Sequence, residues 1–199
     1  MSIEELINNL LQVFESNNSK IHYVFIGGFS RSGKSTLSNK IYNEVSKIKK
    51  CYLIPLDSWI IDYDQRRPNS TVLERYNFAE IKQFFLHLSN SNAVSIPNYD
   101  SILRKRVIND YTEKLLITEG IVIVEGVIAL EVAKLVGLEG FKIYVNVSNY
   151  TRIKRLITFY KDYKKVHKNE YKKIIMDREL EEIPFIKKTA SFADIFYNF

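Results

Sequence analysis

The segment GGFSRSGKST, residues 27–36, sets Gly28 and Gly33 on either side of a short run and follows them with Lys34, Ser35 and Thr36. The apolar run IHYVFI precedes it, and TLSNKIYNEV, which has the spacing of a helix, starts at its end. Glycine lets a backbone curl until successive amide groups converge, and a helix amino terminus adds a favourable dipole; both suit phosphate oxygens. The pattern is G-x-x-x-x-G-K-[ST] between a strand and a helix. Ser30, Arg31 and Ser32 therefore join the glycines in a cradle for a nucleotide's phosphates. Lys34 reaches the outer phosphates, and the Ser35 hydroxyl is a Mg²⁺ ligand with Thr36 beside it. Such a loop binds phosphate without deciding whether the phosphate is moved.

Carboxylates bear on that question. Asp57 closes CYLIPLDSW, where it accepts a proton from a hydroxyl, holds a metal-bound water, or merely caps a helix. Glu125 closes IVIVEG, the place where an acidic residue organises the metal of a phosphate loop, and Gly126 permits close backbone approach. A chance strand-end carboxylate is its plainer alternative. Arg152 and Arg155 stand on a helix capped by Ser148 or Asn149, spaced so that both face one side. There they neutralise a transferring phosphoryl group or simply meet solvent. His22, His87 and His167 lack metal-ligand spacing and read as structural or solvated.

Those residues need a frame. Strand-like runs rich in Ile, Val, Leu and Tyr occur at 21–26, 51–56, 121–125 and 141–147, with weaker ones near 94–96 and 194–197. Helical spacing occurs over about 34–48, 78–90, 127–136 and 149–182. The alternation predicts an α/β fold with a mainly parallel sheet. YVFI, IVIV and IYVNV are almost wholly apolar, as suits strands covered on both faces. A parallel sheet binds its ligand at the carboxyl ends of its strands, which directs attention to Gly28–Thr36, Asp57, Glu125 and 149–155.

At 199 residues and 46% hydrophobic content, the chain suits one domain over 1–199 that needs no disulfide. Cys51 is its sole cysteine, consistent with a reducing, cytoplasmic setting. MSIEELINNLLQVFES spaces its apolar residues as an amphipathic helix over 3–16 rather than as a signal peptide. IVIVEGVIAL, the most apolar stretch, is too short and too polar to cross a bilayer. The net charge is +6, concentrated in RIKRLITFYKDYKKVHKNEYKK, residues 152–173. That segment reads as a solvated helix face, a lid over phosphates or, least favoured, a nucleic-acid surface.

GGFSRSGKST, LDSW, IPNYD, IVIVEG, TRIKR and ADIFY follow in the order and approximate spacing of the uridine kinase and phosphoribulokinase-like family of P-loop kinases, which the chain resembles over about 20–197. The resemblance implies a P-loop NTPase three-layer sandwich with a helical basic lid over about 150–182. It implies ATP and Mg²⁺, and a small hydroxyl compound as phosphoryl acceptor, with neither nucleic acid nor membrane as partner; a homo-oligomer is compatible with it. By matched positions it makes Asp57 the base, Lys34 and Ser35 the phosphate and metal contacts, and Glu125 a partner of the metal. Tyr99 becomes a wall of the acceptor pocket, Arg106 matches an arginine after YD, and Arg152 and Arg155 match basic lid residues.

The departures concern the acceptor. Uridine kinases carry an aspartate where YNFAEI has Ala79 and a histidine where this chain has Arg104, so both nucleoside-recognition features differ. A further lid arginine is replaced near Phe159, leaving Lys161, Lys164 or Arg178 as substitutes. DSWIIDYDQRRPNS offers Trp59, Tyr63, Arg66 and Arg67 to an acceptor that is itself anionic, and Arg104 joins that substrate-binding set. The rival reading is a regulatory nucleotide binder that has lost transfer. A GTPase is disfavoured because the chain has no N-K-x-D motif.

Overall fold

The computed structural model describes residues 1–199 except Asn17, Pro68 and Ser91. Its centre is β1, Ile21–Gly27, flanked by β5, Gly120–Glu125, and β6, Phe141–Asn146. β2, Cys51–Pro55, lies outside β5, and β7, Ile195–Asn198, lies outside β6. The order β2-β5-β1-β6-β7 is parallel throughout.

The period-two alternation of the strands sorts their side chains into two layers. Val24, Ile26, Ile121, Ile123, Ile143 and Val145 face one way and pack with Leu6 and Leu10 of α1, Ile3–Glu15, and Leu37 and Ile41 of α2, Lys34–Val45. Tyr23, Phe25, Val122, Val124 and Tyr144 face the other way. They meet Ile81 and Phe85 of α3, Phe78–Ser89, and Leu130 and Val132 of α4, Ala129–Leu135. Each fully buried aliphatic side chain contributes about 1.5–3 kcal/mol. α1 ends at Glu15 and is fixed by a capping box in which Ser2 and Glu5 satisfy each other's backbone amides; this saves a helix whose other face meets solvent.

Two expectations need correction. The weak strand near 94–96 is a single bridge between Val94 and Leu115; pairing proper begins in β3, Pro97–Asp100, antiparallel to β4, Lys105–Tyr111. Its strands, PNYD and KRVINDY, hold no apolar run longer than two residues, so they leave little to read in the sequence. The helix expected over 149–182 is instead α5, Asn149–Thr158, a π-helical turn, Phe159–Tyr163, and α6, Lys168–Ala190. Lys165, at φ 53°, stops the first helix from running into the second.

Register brings the chemistry to one edge. Glu125 pairs with Ile26 of β1 on one side and with Pro55 of β2 on the other. The phosphate loop after β1, Asp57 after β2 and Glu125 at the end of β5 therefore share one end of the sheet. α5, the π-helical turn and α6 lie over that end.

Candidate active site

Gly28 stands at φ 140°, and a Cβ there would lie 2.6 Å from the Val145 carbonyl oxygen; Gly33, at φ 108°, opens α2. Only glycine meets both demands, the left-handed backbone and the lack of space. The resulting loop puts Ser30, Arg31, Gly33, Lys34, Ser35 and Thr36 along one wall of a cleft of about 1420 Å³. The Ser32 hydroxyl is buried and has no partner among the described residues. A cradle closed to any Cβ and an orphaned hydroxyl fit phosphate oxygens.

Lys34 is buried, and its Nζ donates to the Phe29 carbonyl oxygen at 2.9 Å. Burial lowers its pKa, opposed by the charges of Glu125, Asp57 and Glu182. The Ser35 hydroxyl donates to Glu125 Oε1 at 3.1 Å. Burial raises the pKa of Glu125; Lys34 opposes the rise and Asp57 adds to it. Ser35 and Glu125 thus form a hard-oxygen pair of the kind Mg²⁺ takes.

Asp57 sits on a 3-10 turn, Leu56–Trp59, with its carboxylate exposed to the cleft. The buried Tyr76 hydroxyl donates to Asp57 Oδ1 at 3.3 Å. Burial first, and then the charge of Asp57, raise this phenol well above the ordinary tyrosine range, so it remains a donor. Tyr76 carries no motif, and the sequence offers no signal that would have found it.

Two arginines of the overlying helices hydrogen-bond to the phosphate loop. Arg155 Nη1 donates to the carbonyl oxygens of Arg31 at 3.2 Å and Ser32 at 3.3 Å. Arg178 on α6 donates to the Ser30 hydroxyl at 2.6 Å and to the Tyr160 hydroxyl at 3.2 Å, and forms an ion pair with Glu182. Ser30 in turn donates to Glu182 Oε1 at 3.1 Å. Burial opposes the charge of Glu182, but Arg178, Ser30 and Lys34 together hold its carboxyl below the usual range. Among the three lid substitutes, Arg178 meets the loop directly; Glu182 escaped sequence reasoning because an acidic residue in a charged helix resembles any solvated one.

Tyr63, Arg66, Tyr99 and Arg104, of which the sequence reading expected Tyr63, Tyr99 and Arg104 to bind the acceptor and offered Arg66 to an anionic one, also line the cleft. Arg66 Nη2 donates to the Tyr99 hydroxyl at 3.0 Å, and the Arg104 guanidinium lies 3.5 Å from the centre of the Tyr63 ring.

Several expected site residues lie elsewhere. Trp59 is 2% exposed and packs at 4.9 Å against Phe84 in the core, because a large apolar ring gains more there than in a wet cleft. Arg106 is drawn to Glu80, 2.8 Å away, and its backbone amide donates to Asp62. Arg152 is 2% exposed, paired with Glu179, bonded to Asn149 and stacked on Phe29 at 4.6 Å. It meets the phosphate loop only through the Phe29 ring, its guanidinium being taken up by Glu179 and Asn149, whereas Arg155 donates to the loop's carbonyl oxygens. A buried guanidinium requires a carboxylate, and Glu179 of α6 supplies it.

A parallel sheet with a phosphate loop after its first strand, carboxylates at its carboxyl end and helices laid over that end is the architecture of the P-loop kinases. Residues 24–196 match the phosphoribulokinase / uridine kinase family, and the chain belongs to that family. It is 32% identical over 141 residues to a uridine kinase of Clostridium perfringens (strain SM101 / Type A), an alignment spanning 66% of this chain and 65% of that enzyme. A Silicibacter sp. TM1040 protein, provisionally named a fructose transport system kinase, has the same fold, with a TM-score of 0.78, 18% identity and coverage of 99% of both chains. So has a Bacillus stearothermophilus protein provisionally named a uridine kinase, with a TM-score of 0.63, 19% identity and coverage of 99% of this chain and 100% of that one. Among the described residues, no helix is long and apolar enough to cross a membrane.

Proposed function

We propose that the chain, acting as one domain, transfers the terminal phosphoryl group of ATP to a hydroxyl of a small molecule. The observation that carries the reading is the exposed Asp57 carboxylate, oriented by Tyr76, in a cleft that the phosphate loop also lines. A cleft of about 1420 Å³ exceeds the roughly 300–1,000 Å³ of a single small-ligand site, and so suits a nucleotide together with an acceptor.

The phosphate-loop amides, Ser32 and Lys34 hold the donor's phosphates, and Arg178 meets them from the lid. Ser35 and Glu125 would hold Mg²⁺, which neutralises charge on the phosphates when bound. Asp57 takes the proton of the acceptor hydroxyl as that oxygen bonds to phosphorus, while the bond from phosphorus to the ADP oxygen breaks. α5, the π-helical turn and α6 cover the site and exclude water, which would otherwise compete as acceptor. The half-buried thiol of Cys51, pushed up to about 11 by burial, takes no part and suits a reducing cytoplasm.

Mg²⁺-dependent ADP release, measured with a panel of nucleosides, sugars and sugar derivatives, tests the reading beside Asp57→Asn. Acceptor-stimulated release that disappears in the variant supports it. Tight ATP binding without stimulation by any acceptor would favour a regulatory binder instead.

A further inference from the structure

The acceptor end of the cleft has more positive charge than its own fold uses. Ten basic and five acidic side chains line the whole cleft. Lys34 and Arg178 face the phosphate loop, through the Phe29 carbonyl and Ser30. Arg66 and Arg104 are fixed away from it. Arg66 holds the Ile61 carbonyl at 2.8 Å and Tyr99, while Arg104 lies on Tyr63. Neither has a carboxylate partner among the described residues, and neither has Lys164, which approaches from the lid.

Like charges normally separate, yet here the backbone forces them together. The Tyr63 amide donates to the Arg104 carbonyl oxygen at 3.1 Å, Lys105 pairs with Asp64 at 2.9 Å, and the Arg106 amide donates to Asp62 at 2.7 Å. These contacts fasten the β3–β4 turn to the segment that carries Arg66. Arg104 itself is held at φ 59°, a left-handed conformation unfavourable for a residue with a side chain. Lys164 is half-buried, and its pKa is pushed down to about 8 by burial and by the charges of Arg104, Arg178, Arg31 and Arg66. Unrelieved repulsion maintained by strained backbone is the electrostatic signature of a site built for an anion.

We infer that the acceptor has its own anionic group, a carboxylate or a phosphate, and that Arg66, Arg104 and Lys164 bind it while Asp57 faces its hydroxyl. The inference rests on the phosphoryl-transfer reading for the role of Asp57. The Tyr99 hydroxyl accepts from Arg66 at 3.0 Å and lies between opposed charges, since burial first and then Asp57 raise its pKa while Arg66 and Arg104 lower it, and all four residues line the same cleft. That suits an acceptor with only a few carbons between hydroxyl and anion, such as a hydroxy acid or a sugar phosphate. Because Lys164 belongs to the lid and the two arginines to the floor, the anion also draws the lid down over the acceptor.

Binding separates this inference from transfer. With Mg²⁺ and a non-hydrolysable ATP analogue filling the phosphate loop, calorimetry compares glycerol with glycerate, ribose with ribose 5-phosphate, and sulfate alone. We expect an anionic member to bind roughly 10- to 100-fold tighter than its neutral twin, and the gain to be lost in Arg104→Gln and in Lys164→Gln. Glycerate alone would identify a carboxylate, ribose 5-phosphate alone a phosphate; both support the subsite. No anionic preference, or a preference that persists when Arg104 and Lys164 are both replaced, overturns it. The analogue's own affinity, unchanged in each variant, establishes that the fold survives. Binding of an anion that is never phosphorylated would leave the subsite standing and remove the transfer reading, whereas phosphorylation of uridine without anionic preference would do the reverse.

Discussion

The Tyr76 hydroxyl donates to Asp57 Oδ1 at 3.3 Å, joining a phenol buried beneath the cleft to a carboxylate exposed within it. A carboxylate that abstracts a proton must present a defined oxygen to the incoming hydroxyl, and one bond from a rigid, buried donor supplies that definition. Asp57→Asn keeps the shape and removes the base. We expect it to lower the turnover number by about 10²–10⁴-fold, with ATP affinity within a few-fold of wild type. Equal loss of both would remove Asp57 from the base role.

Tyr76→Phe tests the orienting bond separately. It deletes one hydroxyl from a packed position and leaves the Asp57 side chain in place. A single hydrogen bond to a charged group is worth about 1.5–3 kcal/mol, so the turnover number should fall roughly 10- to 100-fold with the nucleotide KM unchanged. A rise in KM alone would show that Tyr76 supports nucleotide binding instead.

Lys34 gives a prediction with opposite signs for folding and for binding. Burial makes its charge costly in the nucleotide-free protein, so Lys34→Met should leave thermal stability equal to or above wild type. Mg²⁺ and ATP at about 100 times Kd stabilise a binding protein by about 2.7 kcal/mol. For a chain of this size that is a shift of roughly 5–10 °C. The variant should lose that shift along with transfer. Retention of the ligand-induced shift in a thermal melt would overturn the phosphate role of Lys34.

What the sequence made legible was whatever local chemistry dictates. Gly28, Gly33 and Lys34 are constrained by their own loop, and the continuous apolar runs of β1, β5 and β6 follow from burial on both faces, so both are recognisable in a linear string. Asp57 and Glu125 were legible because they end such runs. Trp59 and Arg152 were misplaced for the converse reason. Each shares a segment with cleft residues, yet its side chain is claimed by a distant partner, Phe84 or Glu179, and a spacing rule cannot see 25 residues or more along the chain. Tyr76 and Glu182 act only through tertiary contacts, and the break after Tyr163 turns on the backbone at Lys165.

The anion subsite predicts a pH dependence of known sign. Lys164 is protonated below about 8 and neutral above it; the groups facing it are Arg31 of the phosphate loop, Arg66, Arg104 of the hairpin turn and Arg178 of α6, all cationic throughout this range. The KM for an anionic acceptor should therefore rise as pH passes upward through about 8, while the nucleotide KM changes little over the same interval. An anion beside Lys164 favours its charged form, so acceptor binding near pH 8.5, about half a unit above that value, should take up protons; calorimetry in buffers of different ionisation enthalpy measures them. Lys164→Arg, whose charge persists, should abolish both effects. A KM indifferent to pH in the wild type would deny Lys164 a place in the subsite.

Glu182 and Arg178 allow stability and catalysis to be separated. Glu182 is 2% exposed and accepts from both Arg178 and Ser30, so its removal leaves a guanidinium uncompensated beside the phosphate loop. Glu182→Ala should destabilise the fold by about 3–5 kcal/mol, read from the urea midpoint. Replacing the pair together, Arg178→Met with Glu182→Leu, exchanges an ion pair for apolar volume, which commonly restores most of such a loss. The double variant should therefore recover much of its stability and still fail in transfer, because the guanidinium that meets Ser30 is then gone. Recovery of activity together with stability would make the pair a structural latch only, and would assign the lid's catalytic charge to Arg155.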